Sequence, residues 1–243
     1  MEHQDSRESL YGTYVSSHLR RDARRERSSA APVLSHMPAN RNARILDIGC
    51  GSGELIEQLL REGYRNVIGI DVSVEQVALA HSLGRSQVRL GNVLELDDMS
   101  EASFEVVVAV DLLEHLEHDE VLAVLNWIAK ALSTEGQFIV QVPNATSPFF
   151  GNYAFGDFTH RSVFNDRSIR QVLRHVGFTR VSTHPVNPRP GGLRRTVRAA
   201  TWQLLAATIK AYLSTETGQL RGHIVTQNLI ACAQWVEPSN EVS

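Results

Sequence analysis

ILDIGCGSGEL, residues 45–55, reads as a strand that runs into a tight glycine turn and out again into a helix. The apolar run ends at Ile48, and Gly49, Gly51 and Gly53 follow at alternate positions. Glycine takes left-handed backbone conformations without steric cost and lets the main chain come close to a ligand. Ligands of open α/β sheets bind outside the carboxyl ends of strands, which is where this turn falls. A dinucleotide site calls for GxGxxG. The spacing here is GxGxG, with Glu54 where the last dinucleotide glycine would stand. Asp47, just before the turn, is badly placed beside a pyrophosphate and well placed beside a cationic ligand end, such as a sulfonium or an amino group. The next apolar run, VIGID at 67–71, closes on Asp71, an acid positioned to accept from both hydroxyls of a ribose.

Outward from this unit the chain alternates. Strand-like runs rich in Val and Ile lie at 44–48, 67–71, 87–91, 104–110 and 137–142, with helical stretches at 53–62, 74–83 and 118–132 between them. In the last of these, Val121, Leu122, Leu125, Ile128, Ala129 and Leu132 fall on one face of a 3.6-residue period, and Gly136 is expected to stop it. A helix at 166–176, a strand at 178–183, a Pro/Gly-rich break at 184–192, a helix at 193–213 and a final strand within 224–236 follow. This order predicts an α/β fold: a Rossmann-like, seven-stranded, mostly parallel sheet with helices on both faces. Residues 1–40 read as a separate N-terminal helical segment or lid, and 41–243 as the main domain with a helical insertion at about 186–222.

With 243 residues the chain has enough length for one such domain with a full core. The formal net charge is −3, which does not favour a nucleic-acid partner. The arginine-rich stretch at 17–29 is interrupted by Asp22 and Glu26 and reads as a solvated helix. Cys50 and Cys232 form no CxxC pattern, the first residues carry no apolar leader, and no apolar run reaches spanning length. Together these features predict a cytoplasmic protein.

The chain resembles the class I S-adenosylmethionine-dependent methyltransferases over about 45–183. ILDIGCGSG matches their first motif, GID (69–71) their second, GNVLEL (91–96) the adenine-side loop, and FEVVVAVDLLEHL (104–116) the fourth-strand motif of the subgroup that includes ubiquinone-type O-methyltransferases. The resemblance implies S-adenosylmethionine as cofactor. It places Asp47, Gly49, Cys50, Gly51 and Gly53 around the methionine part, Asp71 on the ribose, and Val72 on the adenine face. It also places Asn92 and Val93 at the adenine edge and Asp111 with Leu112 closing the pocket. Many relatives carry an acid where this chain has Asn92; the Asn carbonyl also accepts from an amino group.

The acceptor side is drawn by less diagnostic segments. Methyl transfer from a sulfonium is an in-line displacement, so the protein mainly positions the reactants, and a hydroxyl acceptor also needs a base. His115 (DLLEHLEH) and His160 (GDFTHRSVF, 156–164) both follow strands on the ligand side and are the two candidates. Phe155, Asp157 and Arg161 beside His160 are expected to form a polar pocket with an aromatic wall. Tyr11, Tyr14 and His18 are expected to line the acceptor side if the N-terminal segment folds over the cofactor. Asp111, Glu114, His115 and His118 recur at the spacing of one helical face, but in the resembled subgroup this face serves the cofactor pocket without metal, and no metal is expected. The resembled amino-methylating enzymes of DNA bases carry an Asn/Asp-Pro-Pro-aromatic turn where this chain reads AVDLLEH, and neither cysteine is placed as a nucleophile for C5-methylation. Arg194, Arg195 and Arg198 lead an apolar series at 193–213 that suits packing over the sheet or a homodimer face, with contact to a membrane surface as the alternative. The expectation is therefore an O-methyltransferase acting on a small polar metabolite, a sugar or glycan, or a phosphate-type acceptor. An N-methyltransferase of a small amine and a non-catalytic cofactor-binding partner subunit are the alternatives.

Overall fold

A computed structural model describes residues 32–95, 104–220 and 222–236. The strands are β1 (Arg44–Ile48), β2 (Asn66–Asp71), β3 (Val88–Leu90), β4 (Phe104–Val110), β5 (Leu132–Pro143), β6 (Thr179–Pro185) and β7 (Asn228–Gln234). The helices are α1 (Glu54–Arg61), α2 (Val74–Ser82), α3 (His118–Ala131), the one-turn α4 (Gly151–Ala154), α5 (Asp166–Val176) and α6 (Gly192–Thr217). All seven strands join one sheet in the order β3-β2-β1-β4-β5-β7-β6. β7 runs antiparallel to both β5 and β6, and the other pairings are parallel. The order reverses beside β1, so the ends of β1 and β4 open the crevice in which such sheets bind ligands.

The strands are buried on both faces, as their unbroken apolar runs require. Leu46, Ile48, Val107, Ala109, Phe138 and Val140 face the layer of α3 and α5. Ile45, Val106, Val108 and Ile139 face α1 and α2, with Leu55, Ile56 and Leu59 packed down on them. Local signals set the helix ends. Ser73 Oγ accepts from Gln76 N–H at the start of α2 (3.2 Å). Reciprocal Glu117/Glu120 and Asn165/Ser168 boxes open α3 and α5. Gly177, at φ 107°, ends α5.

Three expectations change. Gly136 does not stop α3: the chain leaves the helix at Ala131 and goes straight into β5, with Gly136 inside that strand. Leu132 is buried and paired with Phe104 at the foot of β4, so strand pairing outweighs the helical period at that residue. The 193–213 helix runs further than its apolar pattern, over Gly192–Thr217, and Ala206 is its buried residue. Leu193, Val197, Leu204, Leu205 and Tyr212 face solvent instead of packing over the sheet. Trp202, Ala206, Ile209 and Leu213 recur on the inward side of the helix, and its period turns the rest of the apolar series outward. Trp202 Nε1 donates to Asn187 Oδ1 at 3.1 Å. Among the described residues no helix is long and apolar enough to cross a membrane. Tyr11, Tyr14, His18 and the stretch at 17–29 lie outside the described residues, as does most of the expected lid.

Candidate active site

The glycine turn takes the conformation its residues call for. Gly49, Gly51 and Gly53 have φ of 68°, 53° and 81°. The N–H groups of Gly49 and Cys50 both donate to the Ile70 carbonyl, at 2.9 and 3.2 Å, which pins the turn across the ends of β1 and β2. The space around each glycine differs. A Cβ on Gly49 would lie 2.9 Å from Leu112 Cδ1, and one on Gly53 2.6 Å from Val88 Cγ2. Those two glycines allow close packing. A Cβ on Gly51 would meet nothing nearer than Gln76 Oε1, at 4.0 Å. Gly51 therefore borders open room, where a ligand can approach the main chain.

Two acids frame that room. Asp71 Oδ2 accepts from Gly51 N–H (2.7 Å) and Oδ1 from Ser73 N–H (2.8 Å). A carboxylate offers about four acceptor positions, so two N–H bonds leave room for a diol. Burial raises the Asp71 pKa, and these two N–H bonds hold back part of that rise. Asp47 is 2% exposed. Burial first, and Asp71 second, push its carboxyl up to about 8. A group in that state is drawn to its charged form by a cationic neighbour, which the sulfonium and ammonium of S-adenosylmethionine supply. The residues therefore fit that cofactor. The Cys50 thiol is raised well above its usual range, by burial and then by Asp47 and Asp71, which leaves it inert as a nucleophile.

Val72 is 53% exposed beside the turn, an open apolar surface of the kind an adenine covers. Asn92 is engaged within its own turn: Oδ1 accepts from Leu94 N–H (3.1 Å) and Nδ2 donates to Glu95 Oε1 (2.8 Å). Val93 packs half-buried on the α3–α5 layer. Asp111 stands just past the end of β4 at φ 52°. Its N–H donates to the Gln141 carbonyl (3.0 Å) and its Oδ1 accepts from Gln141 Nε2 (3.1 Å). Burial raises the Asp111 carboxyl to about 6, with the Gln141 amide pulling the other way. Leu112 lies against Gly49 and so joins the end of β4 to the glycine turn.

The acceptor-side residues gather next to this point. Leu113–His115 form a 3-10 turn and α3 starts only at His118, so 111–118 is not one helical face and the spacing of Asp111, Glu114, His115 and His118 has no helical meaning. The Glu114 carbonyl accepts from the N–H groups of Arg161 (2.7 Å) and Ser162 (3.0 Å), which ties the loop after α4 to the end of β4. His160 thereby meets His115, ring centroids 4.8 Å apart and nearly perpendicular at 70°. His115 Nδ1 lies 2.8 Å from Thr159 Oγ1, and Thr159 Oγ1 donates to Asp157 Oδ1 at 2.7 Å. Burial acts to raise Asp157, but the two Thr159 bonds and the charges of His115 and His160 outweigh it and hold the carboxyl below its usual range.

Glu114 is 2% exposed, and its Oε2 has no hydrogen-bond partner among the described residues. Burial, then Asp111 and Asp157, raise its pKa well above the usual value. Glu114, His115 and His160 each bring a ligand atom within 4.8 Å of the other two, the geometry of a set able to hold a cation. Two pocket expectations change. Phe155 is 87% exposed and is not covered by any of the described residues as a pocket wall would be. The Arg161 side chain pairs with Glu117 (3.9 Å), while its N–H donates to the Glu114 carbonyl. Thr159 and Gln141 escaped the sequence reading. The only signals were a hydroxyl two places after Asp157 and a polar residue inside the apolar run QFIVQV.

The profile of a family described as a methyltransferase domain matches residues 15–183. A ubiquinone biosynthesis O-methyltransferase of Xanthomonas campestris pv. campestris is 34% identical over 113 residues, covering 44% of this chain and 46% of the relative. One of Neisseria meningitidis serogroup A is 31% identical over 111 residues, 42% of this chain and 44% of the relative. This chain thus matches less than half the length of those curated relatives. Among solved structures, a SAM-dependent methyltransferase from Archaeoglobus fulgidus superposes with a TM-score of 0.64 at 20% identity, over 84% of this chain and 92% of that one. Phosphoethanolamine N-methyltransferase 2 of Haemonchus contortus, in complex with S-adenosyl-L-methionine, gives 0.59 at 18% identity over 86% and 52%. These structural likenesses concern the fold. The fold and the glycine-turn site define a class I S-adenosylmethionine-dependent methyltransferase, and the chain belongs to that methyltransferase-domain family. The cofactor of the family is S-adenosylmethionine.

Proposed function

We propose that this protein transfers the methyl group of S-adenosylmethionine to a hydroxyl oxygen of a small polar acceptor (a metabolite, a sugar or glycan, or a phosphate-type group), with His115 as the proton acceptor. The observation that carries the reading is the chain His115–Thr159–Asp157. Thr159 gives its hydroxyl hydrogen to Asp157, so it can only accept from His115. Nδ1 of His115 therefore holds the ring hydrogen, and Nε2 is the basic nitrogen. The bound cofactor supplies an activated methyl group. The protein's own residues do the rest. Asp47 and the glycine turn fix the cationic end, Asp71 fixes the ribose, and His115 takes the acceptor's proton at Nε2 while Asp157 stabilises the resulting imidazolium through Thr159. His160, edge-on to His115, orients the acceptor. The names of the curated relatives support an oxygen acceptor.

The test is turnover of S-adenosylmethionine against a panel of phenols, sugars and phosphate esters, with EDTA present and absent. His115→Ala should lower kcat by about 10²–10⁴-fold with cofactor affinity unchanged, as for loss of a general base. A flat response to removal of both His115 and His160, with small amines as the better acceptors, would replace this reading by N-methylation. Loss of turnover in EDTA would assign Glu114, His115 and His160 to a cation instead of a proton.

A further inference from the structure

A second cluster of ligand-type side chains lies away from the glycine turn. β7 is separated from β1 by β4 and β5. The register of β6 on β7 sets Ser182 opposite Cys232 and His184 opposite Ile230. Side chains alternate along strands, so Cys232 and His184 project from one face at diagonal positions, within mutual reach. That face is the one under α1 and α2, where Cys232 is buried. Val33 is buried in the same layer, and the turn it opens, Val33–His36, carries His36 over the pair. The rings of His36 and His184 lie 4.6 Å apart with an interplanar angle of 39°. One ligand atom from each of His36, His184 and Cys232 lies within 4.8 Å of the other two.

The donor set has a definite chemical preference. A thiolate with two imidazoles suits a zinc-type ion and disfavours magnesium or calcium, which take oxygen ligands. Metal–nitrogen bonds of about 2.0–2.1 Å and a metal–sulfur bond of about 2.3 Å set tetrahedral ligand atoms roughly 3.3–3.6 Å apart. A movement of about 1 Å therefore closes the set, within the reach of side-chain rotation. Ser182 Oγ lies 3.0 Å from His184 Nε2, the kind of neighbour that orients a ligand imidazole. Arg189 acts on His36 from the rim, and an anionic sulfur at the ion offsets that charge.

We propose that His36, His184 and Cys232 form a zinc-class metal site that fastens the turn at Val33–His36 to the β6–β7 edge. Two imidazole nitrogens and the Cys232 sulfur bind the ion, water completes the tetrahedron, and the thiol proton passes to solvent as the sulfur–metal bond forms. The site is structural and independent of the cofactor.

The test is a Co²⁺ titration of the untagged full chain under reducing conditions. The expected result is one equivalent bound with a thiolate-to-cobalt charge-transfer band in the near ultraviolet, displaced by one equivalent of Zn²⁺. Cys232→Ser should abolish the band and Cys50→Ser should keep it. His36→Ala and His184→Ala should each weaken Co²⁺ binding at least tenfold, and Zn²⁺ should raise the melting temperature of the parent but not of His184→Ala. Calorimetric binding of S-adenosylmethionine checks that the Cys232, His36 and His184 variants are folded, and circular dichroism with thermal melting checks Cys50→Ser. Absence of saturable binding, or a band that survives Cys232→Ser in folded protein, overturns the proposal. Saturable Co²⁺ binding without a sulfur band, as Glu114, His115 and His160 would give, also overturns it.

Discussion

Asp47 is where single-residue chemistry is most exposed to measurement. Its carboxyl sits near 8 because it is buried and because Asp71 is close. At pH 6.5 it is mostly protonated in the free protein, and a cation placed against it favours the carboxylate. Binding of S-adenosylmethionine at that pH should therefore release close to one proton. Calorimetry in two buffers of different ionisation enthalpy reads this directly, and Asp47→Asn should remove the release. Asp71→Ala removes the carboxylate we propose accepts from the ribose hydroxyls and also strips Gly51 N–H of its partner. At about 1.5–3 kcal/mol for each hydrogen bond to a charged group, the expected loss of cofactor affinity is at least about 100-fold. Thr159→Val tests the relay. It leaves His115 in place but removes the group that fixes its tautomer, so kcat should fall by about tenfold or more while cofactor affinity holds. Equal kcat for Thr159→Val and the parent would detach Asp157 from the mechanism.

At the scale of elements, the glycine in the second motif does as much as those in the turn. Gly69 lies inside β2, and a Cβ there would come 2.4 Å from Ile56 Cδ1 and 2.6 Å from Cys50 Sγ. α1 and the turn before it rest directly on this strand. Gly69→Ala should cost about 1–3 kcal/mol in denaturant unfolding, as overpacked cores do, and should weaken cofactor binding as the turn shifts. A neutral result would mean that α1 can slide on β2. α6 makes the opposite case. Leu193 is 82% exposed and Leu204 72%. Replacing either by Glu should change the unfolding free energy by less than about 0.5 kcal/mol. A loss of 2 kcal/mol or more would show that something covers this face in solution.

Across the whole molecule, several buried acids act together. Asp47 is raised to about 8 and Asp111 to about 6, and Asp71 and Glu114 are raised as well, each with burial as the first cause. In the unfolded chain such groups titrate near about 4. Between about pH 4 and 8 the folded state thus binds more protons than the unfolded one, so its stability falls as pH rises through that window. Asp157, held low, acts only below about pH 4; inside the window His36 and His184, lowered first by burial, work in the other direction and offset part of the fall. The ligand-free protein should melt about 5 °C or more lower at pH 8 than at pH 5, read by calorimetry. Saturating S-adenosylmethionine should narrow that gap, because it stabilises the ionised form of Asp47. A melting temperature that rises with pH would mean that these acids are solvated in solution.

The sequence alone determined the alternation of strands and helices, the glycine turn and the two acids that frame it. Each of these is a local property: a period of side chains, a backbone angle open to glycine, an acid at a strand end. Gly49, Gly51, Gly53, Asp47 and Asp71 all lie within one βαβ unit, so their spacing in the chain is nearly their spacing in space. Only the tertiary structure decided which groups surround His115. Its partners Thr159 and Asp157 reach it through the bonds of Arg161 and Ser162 to the Glu114 carbonyl, and no sequence period encodes a contact between loops that follow different strands. The meeting of His36, His184 and Cys232 is of the same kind, made by strand register and by where a turn docks. So is the exposure of α6, since an apolar stripe records what can be buried, and only packing settles what is.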